Sequence, residues 1–256
     1  MKLHLARELA LERGRRLALS LPTSLAEKVP RDHREADQAF ARRRRVVAAV
    51  SLTGAGLLGV SLSTRPGSPQ FYAATLGVAG VWVVGGVAAG PLHLGWVRGP
   101  DRRLRRPVVT PIMTGGYAFA VFYGAALFAR RAPVLDEALR DILRFAVEGS
   151  TPLVLITTLA NGAAEEVFFR GALYAAVGEK SSVVVSTAVY TLATVATRNP
   201  ALVLAGAIMG TLFALQRRAS GGIQAPLLTH LTWATLMLRY LPPLFPATDQ
   251  ISRAPE

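Results

Sequence analysis

The chain has 256 residues, of which 51% are hydrophobic and 18% charged, and its mean hydropathy is positive. This composition is typical of a membrane protein and argues against a soluble α/β enzyme. The formal net charge is +13, but the basic residues cluster between apolar runs, which is the pattern of membrane topology and of contact with anionic lipid. We therefore expect no nucleic-acid partner. The absence of cysteine excludes disulfides, thiolate metal sites and a cysteine nucleophile.

The N-terminal segment is strongly basic. Residues 1–45 contain twelve Lys or Arg and six Asp or Glu, and they end in four consecutive arginines. Leucines recur in this segment at a spacing that would allow one or two short amphipathic helices. It lacks the apolar run and cleavage site of a signal peptide. The sequence predicts a cytoplasmic tail that lies on the anionic lipid of the inner leaflet.

Seven apolar runs follow, and we interpret them as membrane spans. They are residues 46–62, 71–97, 107–129, 149–178, 181–197, 199–216 and 219–238. Between the third and fourth runs, residues 130–148 carry four arginines and four acids, with apolar residues near helical spacing. This pattern predicts an amphipathic helix on the membrane surface. The predicted fold class is all-α, a polytopic transmembrane helical bundle of about seven spans.

Loop charge predicts the direction of the spans. With the N-terminus inside, the cytoplasmic segments hold twenty Lys or Arg and the outer segments hold eight. The positive-inside rule therefore favours an N-in, C-out arrangement, which we expect in the plasma (inner) membrane of the cell. The predicted organisation is a tail at 1–45, helices at 46–148, a core at 149–240 and a C-terminal tail at 241–256.

The fourth run contains three ionisable residues, Glu165, Glu166 and Arg170. Each such group costs about 2.5–3.5 kcal/mol at the centre of a span and is tolerated mainly where it pairs or lines a polar cavity. Glu166 and Arg170 are four residues apart and are predicted to pair on one helix face. Glu165 lies about 100° round the helix and has no such partner in its own helix. Counting along the spans places Glu165 and His230 near the same depth, so a shared site is possible.

Two motifs resemble those of the CPBP intramembrane proteases. Glu165-Glu166-Val-Phe-Phe-Arg170 resembles the Glu-Glu-x-x-x-Arg motif, and Pro226-Leu-Leu-Thr-His230 resembles the later histidine motif. This family includes the type II CAAX prenyl endopeptidases and the bacteriocin-processing or self-immunity (Abi) proteins. The resemblance covers residues 149–240 and implies hydrolysis of a peptide bond within the membrane.

The resemblance implies a role for each matching residue. Glu165 would activate the water, Glu166 and Arg170 would be its companions, and His230 would stabilise the oxyanion. The implied partner is a peptide or membrane-protein substrate. The residues exclude other intramembrane protease chemistries, because the zincin, rhomboid and aspartyl motifs are absent.

The sequence departs from the family pattern at two positions. Where Phe-x-x-x-His is expected on the next span, the chain has Tyr190 and Thr194, and Ala234 stands where an asparagine should follow His230. Tyr190 and Thr194 are candidate substrate-binding residues, although packing explains them equally well. A zinc site has poor support, because His93 lies at the inner end of the second span and His230 plus carboxylates is an unusual ligand set. No other cofactor is expected.

Two functions remain open at this point. The first is a membrane endopeptidase that uses a glutamate-activated water. The second is a catalytically silent relative that acts as an immunity-type or partner-binding protein, motivated by Thr194 and Ala234. A buried ion cluster that only holds the helices in register would also explain the charged motif. A transporter or channel is disfavoured because the polar groups concentrate at one level.

Overall fold

The computed structural model describes residues 35–99, 103–178 and 181–246. Most of the predicted N-terminal tail (1–34) and the end of the C-terminal tail (247–256) lie outside these ranges, and so do the amphipathic helices predicted there. The described helices are α1 Asp37–Leu62, α2 Pro69–Ala88, α3 Val109–Ala129, α4 Pro133–Val147, α5 Thr151–Glu165, a π-helical segment Glu166–Leu173, α6 Tyr174–Val177, α7 Ser182–Val195, α8 Pro200–Ser220, α9 Gln224–Tyr240 and a 3₁₀ turn Pro242–Leu244. Two short strands, β1 Val97–Arg98 and β2 Leu104–Arg105, pair antiparallel in a loop. The predicted all-α helical bundle is confirmed.

Several helices have the length and composition of membrane spans. Within the described ranges, α1, α2, α3 and α8 are long and apolar enough to cross a bilayer, and α4 with the helix 151–177 forms a further pair bent by 115°. Helix α7 is apolar but shorter. The chain is thus an integral multi-pass membrane protein with four or five candidate spans by this measure. The count of seven stays a prediction.

The surface of the bundle is apolar, as a lipid-facing surface should be. Leu52 on α1, Tyr117 on α3 and Val184 on α7 are each more than 70% exposed. Exposed apolar patches of this extent are rare in soluble monomers and mark surfaces that meet a partner or a membrane. The outward-facing residues are therefore apolar, as the high hydrophobic content of the chain predicts.

The second predicted span is too long. The predicted span covers residues 71–97, but α2 ends at Ala88. The chain then continues without regular structure to the β1 strand. Gly90 has φ +141 and is followed by Pro91, which cannot continue the helical hydrogen bonds. Hydropathy missed this end because the segment after Ala88 is itself apolar.

The segment after α2 packs against the end of α8 instead of continuing the span. Trp96 N donates to Ser220 O at 2.8 Å, and Ile223 N donates to His93 O at 2.8 Å. Gly95 lies so close to Gly222 that a Cβ on either residue would collide with the facing backbone. These contacts satisfy backbone groups that would otherwise lack hydrogen-bond partners inside the protein.

Other predicted boundaries need smaller changes. Helix α1 begins at Asp37 and so includes the four arginines that were expected to precede the first span. The predicted surface helix is present as α4, and its buried Leu143 packs with Leu241 and Phe245 near the C-terminal end of the described chain. The fourth predicted span is interrupted by the π-helical segment rather than being one regular α-helix.

The described loops lie in two groups, one at each end of the bundle. Leu62, Arg144 and Asn199 line one cavity of about 330 Å³, so the α1–α2 loop, α4 and the α7–α8 link lie together. The β1–β2 region and the α8–α9 link meet at another place, through the 93–96 and 220–224 contacts. The alternation of predicted outer and inner segments is therefore consistent with the structure, while the side that faces the cytoplasm stays a prediction.

Aromatic residues form the core around the charged motif. Trp82 of α2 is buried and stacks on Phe168 with ring centroids 4.7 Å apart, and it also contacts Phe169. Gly54 of α1 lies directly against the Trp82 ring, where a Cβ would not fit. Small residues allow this close approach between helices. The core consequently packs against the segment that follows Glu165.

Candidate functional site

The charged motif lies in a segment with a widened helical turn. Residues Glu166–Leu173 are π-helical, and all but Val167 are buried. Two backbone carbonyls in this segment accept hydrogen bonds from neighbouring helices: Phe169 O from Ser186 Oγ at 3.1 Å and Arg170 O from Arg217 Nε at 2.6 Å. Single π-helical turns inside α-helices occur frequently at functional sites. Here α7 and α8 supply the donors that stabilise the turn.

Glu166 and Arg170 form the predicted pair. Arg170 Nη1 donates to Glu166 Oε1 at 3.3 Å, and neither side chain is exposed. Arg170 Nη2 also donates to Gly210 O of α8 at 3.2 Å. The guanidinium lies 4.3 Å from the Tyr190 ring centroid and 5.0 Å from that of Phe213. The arginine charge is thus balanced by a carboxylate and by two aromatic faces.

His230 joins this pair, but through Glu166 rather than through Glu165. His230 Nδ1 lies 2.9 Å from Glu166 Oε1. The imidazole stacks on Phe213 with ring centroids 4.7 Å apart. Its other side approaches Gly162 of α5, where a Cβ would lie 3.4 Å from Nε2. Helices α5, α8 and α9 therefore fix the ring.

The hydrogen bond to Glu166 determines what His230 can do. An ionised carboxylate can only accept, so when Glu166 is ionised Nδ1 is the donor in this contact. The Nε2 atom then carries a lone pair when the ring is neutral and a proton when the ring is an imidazolium. His230 could donate to an oxyanion through Nε2 only in the imidazolium form. Nε2 makes no hydrogen bond with the described part of the chain.

Glu165 is oriented differently from Glu166. It is half-buried, whereas Glu166 is fully buried. Its Oε2 atom accepts a hydrogen bond from Tyr190 Oη at 2.7 Å. Glu165 was expected to lack a partner in its own helix, and its partner indeed comes from another helix, α7.

The Thr194 side chain makes no hydrogen bond with Glu165, Glu166 or His230. Its Oγ1 donates to Thr191 O of its own helix at 2.7 Å, and its side chain packs against Gly206 of α8. Ala234 lies one turn beyond His230 and is buried, with no polar side chain to offer. The structure therefore brings Glu165, Glu166, Arg170, His230 and Tyr190 together, and gives Thr194 a packing position.

The donors in this cluster do not fit a zinc site. In residues 35–99, 103–178 and 181–246, no group of three or more His, Cys, Asp or Glu side chains is arranged to hold a metal ion. His230 Nδ1 and Glu166 Oε1 are bonded to each other, and Arg170 occupies the same carboxylate oxygen. A cation would have to compete with that arginine.

Some site contacts had no clear signal in the sequence. Gly162 and Gly210 leave room for His230 and Tyr190, and Phe213 supplies the surface on which His230 stacks. Gly206 and Gly210 form a small-residue spacing that predicts close helix packing. The spacing predicts which face of the helix packs closely. It does not predict that the Gly210 carbonyl accepts a hydrogen bond from Arg170.

The fold and the site define an integral multi-pass membrane protein with a buried carboxylate, arginine and histidine cluster. Residues 148–236 match the family model of the Rce1-like proteins, described as type II CAAX prenyl endopeptidase Rce1-like. The match includes both motifs and covers about a third of the chain. The resemblance to the CAAX proteases of the CPBP family is therefore confirmed for this region. Comparison with curated proteins and with solved structures gave no significant match.

Proposed function

We propose that this protein is an intramembrane endopeptidase of the CPBP type, with residues 149–240 as its catalytic core. The observation that carries the proposal is the different environment of two adjacent carboxylates. Glu166 is buried and bonded to Arg170 and His230, whereas Glu165 is half-buried and bonded to Tyr190 alone among the described side chains. Adjacent carboxylates in different environments can take different roles in hydrolysis.

In this mechanism Glu165 is the general base. Its carboxylate accepts a proton from a water molecule while the water oxygen attacks the carbonyl carbon of the scissile peptide bond. The carbonyl π electrons move to the oxygen, and the imidazolium of His230 donates a hydrogen bond to that oxyanion through Nε2. The proton held by Glu165 then passes to the leaving nitrogen as the C–N bond breaks. Water is consumed and two peptides are released.

Glu166 and Arg170 hold His230 in this mechanism. The Glu166 carboxylate holds the Nδ1 side of the ring and would stabilise an imidazolium, and Arg170 balances the charge of that carboxylate. The fixed contacts to Gly210 and Phe213 orient both groups before a substrate arrives. Such preorganisation is a major source of catalytic rate in enclosed sites. These residues therefore act together, and removing one should affect the others.

The substrate is a peptide or a membrane protein that reaches the site within the bilayer, and the protein would reside in the plasma (inner) membrane. The basic tail at 1–45 would bind anionic lipid of the inner leaflet. The match to the prenyl endopeptidase family supports a peptide substrate. The narrower link to the Abi proteins remains a sequence prediction.

The test is cleavage of a fluorogenic peptide library by purified protein in liposomes. We expect wild type to cleave at least one peptide and Glu165→Gln to lose at least 10²-fold in kcat, because the variant cannot accept the proton of water. Glu137→Gln is the matched control, because Glu137 is an exposed acid on α4, away from the site. Equal rates for wild type and Glu165→Gln would overturn the role of Glu165.

A silent relative is the second candidate, and two observations favour it. The Thr194 hydroxyl is bonded to its own helix, and Ala234 offers no donor near His230. In this case wild type would cleave nothing, and the double substitution Thr194→His with Ala234→Asn would be needed before any peptide is cut. Cleavage by wild type would exclude it.

A further inference from the structure

Tyr190 makes the one side-chain hydrogen bond that Glu165 forms within the described part of the chain. The two residues come from different elements, Glu165 from the end of α5 and Tyr190 from α7, and the distance between Tyr190 Oη and Glu165 Oε2 is 2.7 Å. A short hydrogen bond to a carboxylate is stronger than one between neutral groups. The Tyr190 hydroxyl is therefore hydrogen-bonded directly to the proposed base.

The Tyr190 ring is held by packing on several sides. It meets Phe169 edge to face, with centroids 4.8 Å apart, and lies under the Arg170 guanidinium at 4.3 Å. Gly210 leaves the space that the ring occupies, since a Cβ there would come within 2.9 Å of Tyr190 Cδ1. Tyr190 itself is 7% exposed. The position of the hydroxyl is therefore set before any substrate binds.

The hydroxyl also fixes the orientation of the Glu165 carboxylate. A phenol has one proton to donate, and here it is directed at Oε2. The Oε1 atom makes no hydrogen bond with the described residues and remains available to a water molecule. Holding a reacting group in one orientation speeds a reaction, because the entropy of alignment is already lost. A carboxylate free to rotate would offer water both oxygens in changing directions.

The residue at this position differs from the one in the motif that the sequence resembles. The motif that the sequence resembles has phenylalanine here and histidine four residues later, whereas this chain has Tyr190 and Thr194. The hydroxyl is thus an added polar atom, and Thr194 does not contact Glu165 because its own hydroxyl is bonded within α7.

We propose that Tyr190 is a positioning residue that orients Glu165 through its hydroxyl and leaves Oε1 directed at the water. The inference rests on the proposed endopeptidase function and deepens it. It is an alternative to the sequence-based prediction that Tyr190 binds substrate, which stays a prediction. Glu166, Arg170 and His230 lie close enough to Glu165 to act on it electrostatically, and the Tyr190→Phe substitution changes none of these three residues.

The first test separates positioning from substrate binding. Tyr190→Phe keeps the packed ring and removes the hydrogen bond, and we expect kcat to fall about tenfold or more while KM stays within about twofold. Tyr117→Phe on α3 is the matched control, since Tyr117 is 73% exposed and remote from the cluster. A raised KM with unchanged kcat would assign Tyr190 to substrate binding and overturn the proposal. Unchanged kcat and KM would overturn it equally.

The second test needs no activity. The carboxyl band of Glu165 is identified in the infrared difference spectrum between wild type and Glu165→Gln in liposomes. We expect that band to shift in Tyr190→Phe and to stay in place in Tyr117→Phe, because only the first loses a donor to Glu165. An unmoved band overturns the inference. If wild type cleaves no peptide, the proposed function fails, and the infrared band alone then decides whether Tyr190 orients Glu165.

Discussion

Among individual residues, two ion pairs have the same four-residue spacing along the chain but differ in how deeply they are buried. Arg170 and Glu166 are fully buried, whereas Arg144 and Glu148 form an exposed pair on α4. An exposed pair contributes about 0–1 kcal/mol, because water and salt screen it. Breaking a buried pair leaves an uncompensated charge and costs about 3–5 kcal/mol. The same local motif therefore has different energetic importance at the two places.

This contrast predicts the effect of removing either carboxylate charge. Glu166→Gln should lower the free energy of unfolding by about 3–5 kcal/mol, because Arg170 loses its counter-charge in a buried site. Glu148→Gln should change it by less than about 1 kcal/mol. Thermal unfolding of both variants in detergent micelles measures the difference. Equal stability of the two would mean that the buried pair is not a structural requirement.

At the scale of elements, the close approach of α7 and α8 positions the cluster. Gly210 lets the Tyr190 ring and the Arg170 guanidinium lie against α8, and its carbonyl accepts from that arginine. Gly206, one turn earlier, contacts Thr194 in the same way. The two glycines thus serve packing, as their spacing predicts, and Gly210 also binds a site residue.

Gly210→Ala tests the importance of this contact. The added Cβ would lie 2.9 Å from Tyr190 Cδ1 and 3.4 Å from Arg170 Nη2, so the ring or the helix must move. We expect a loss of about 1–3 kcal/mol in stability, as for other overpacked sites, together with reduced peptide cleavage. Gly124→Ala on α3 is the matched control, because a Cβ there meets nothing within 4 Å. If Gly210→Ala behaves like Gly124→Ala, the ring has room that the structure does not show.

Across the bundle, the described loops fall into two groups, which we predict to lie on opposite sides of the membrane. The α1–α2 loop, α4 and the α7–α8 link meet at one end, and the contacts of residues 93–96 with 220–224 mark the other. The chain has no cysteine. Single cysteines can therefore be introduced without removing any native one.

Cysteine labelling tests the topology directly. We expect Arg65→Cys and Glu137→Cys to react with an impermeant maleimide from the outer side of intact cells. Arg105→Cys should react only after the membrane is opened, as the N-in arrangement requires. All three positions are exposed in the structure. Labelling of Arg105→Cys in intact cells would contradict the predicted direction, and labelling of Arg65→Cys and Glu137→Cys from opposite sides would contradict the grouping of loops.

The sequence alone determined the features that depend on neighbours along the chain. Composition predicted a polytopic helical protein, and the spacing of Glu166 and Arg170 predicted their ion pair, because residues four apart share a helix face. The start of α8 at Pro200 follows from Asn199, whose side chain caps Leu202 N. These interactions are local, so they could be predicted without knowing how the helices pack.

The contacts between elements depend on how the helices pack in three dimensions. The packed structure pairs His230 with Glu166, joins Glu165 to Tyr190 and widens the helical turn that begins at Glu166. It also ended α2 at Ala88, although the next residues are equally apolar. In a bilayer both packed and lipid-facing helix surfaces are apolar, so hydropathy cannot tell which face meets a neighbour. The rotation of each helix is set by how glycines and aromatic rings fit together, and that fit exists only in the assembled bundle.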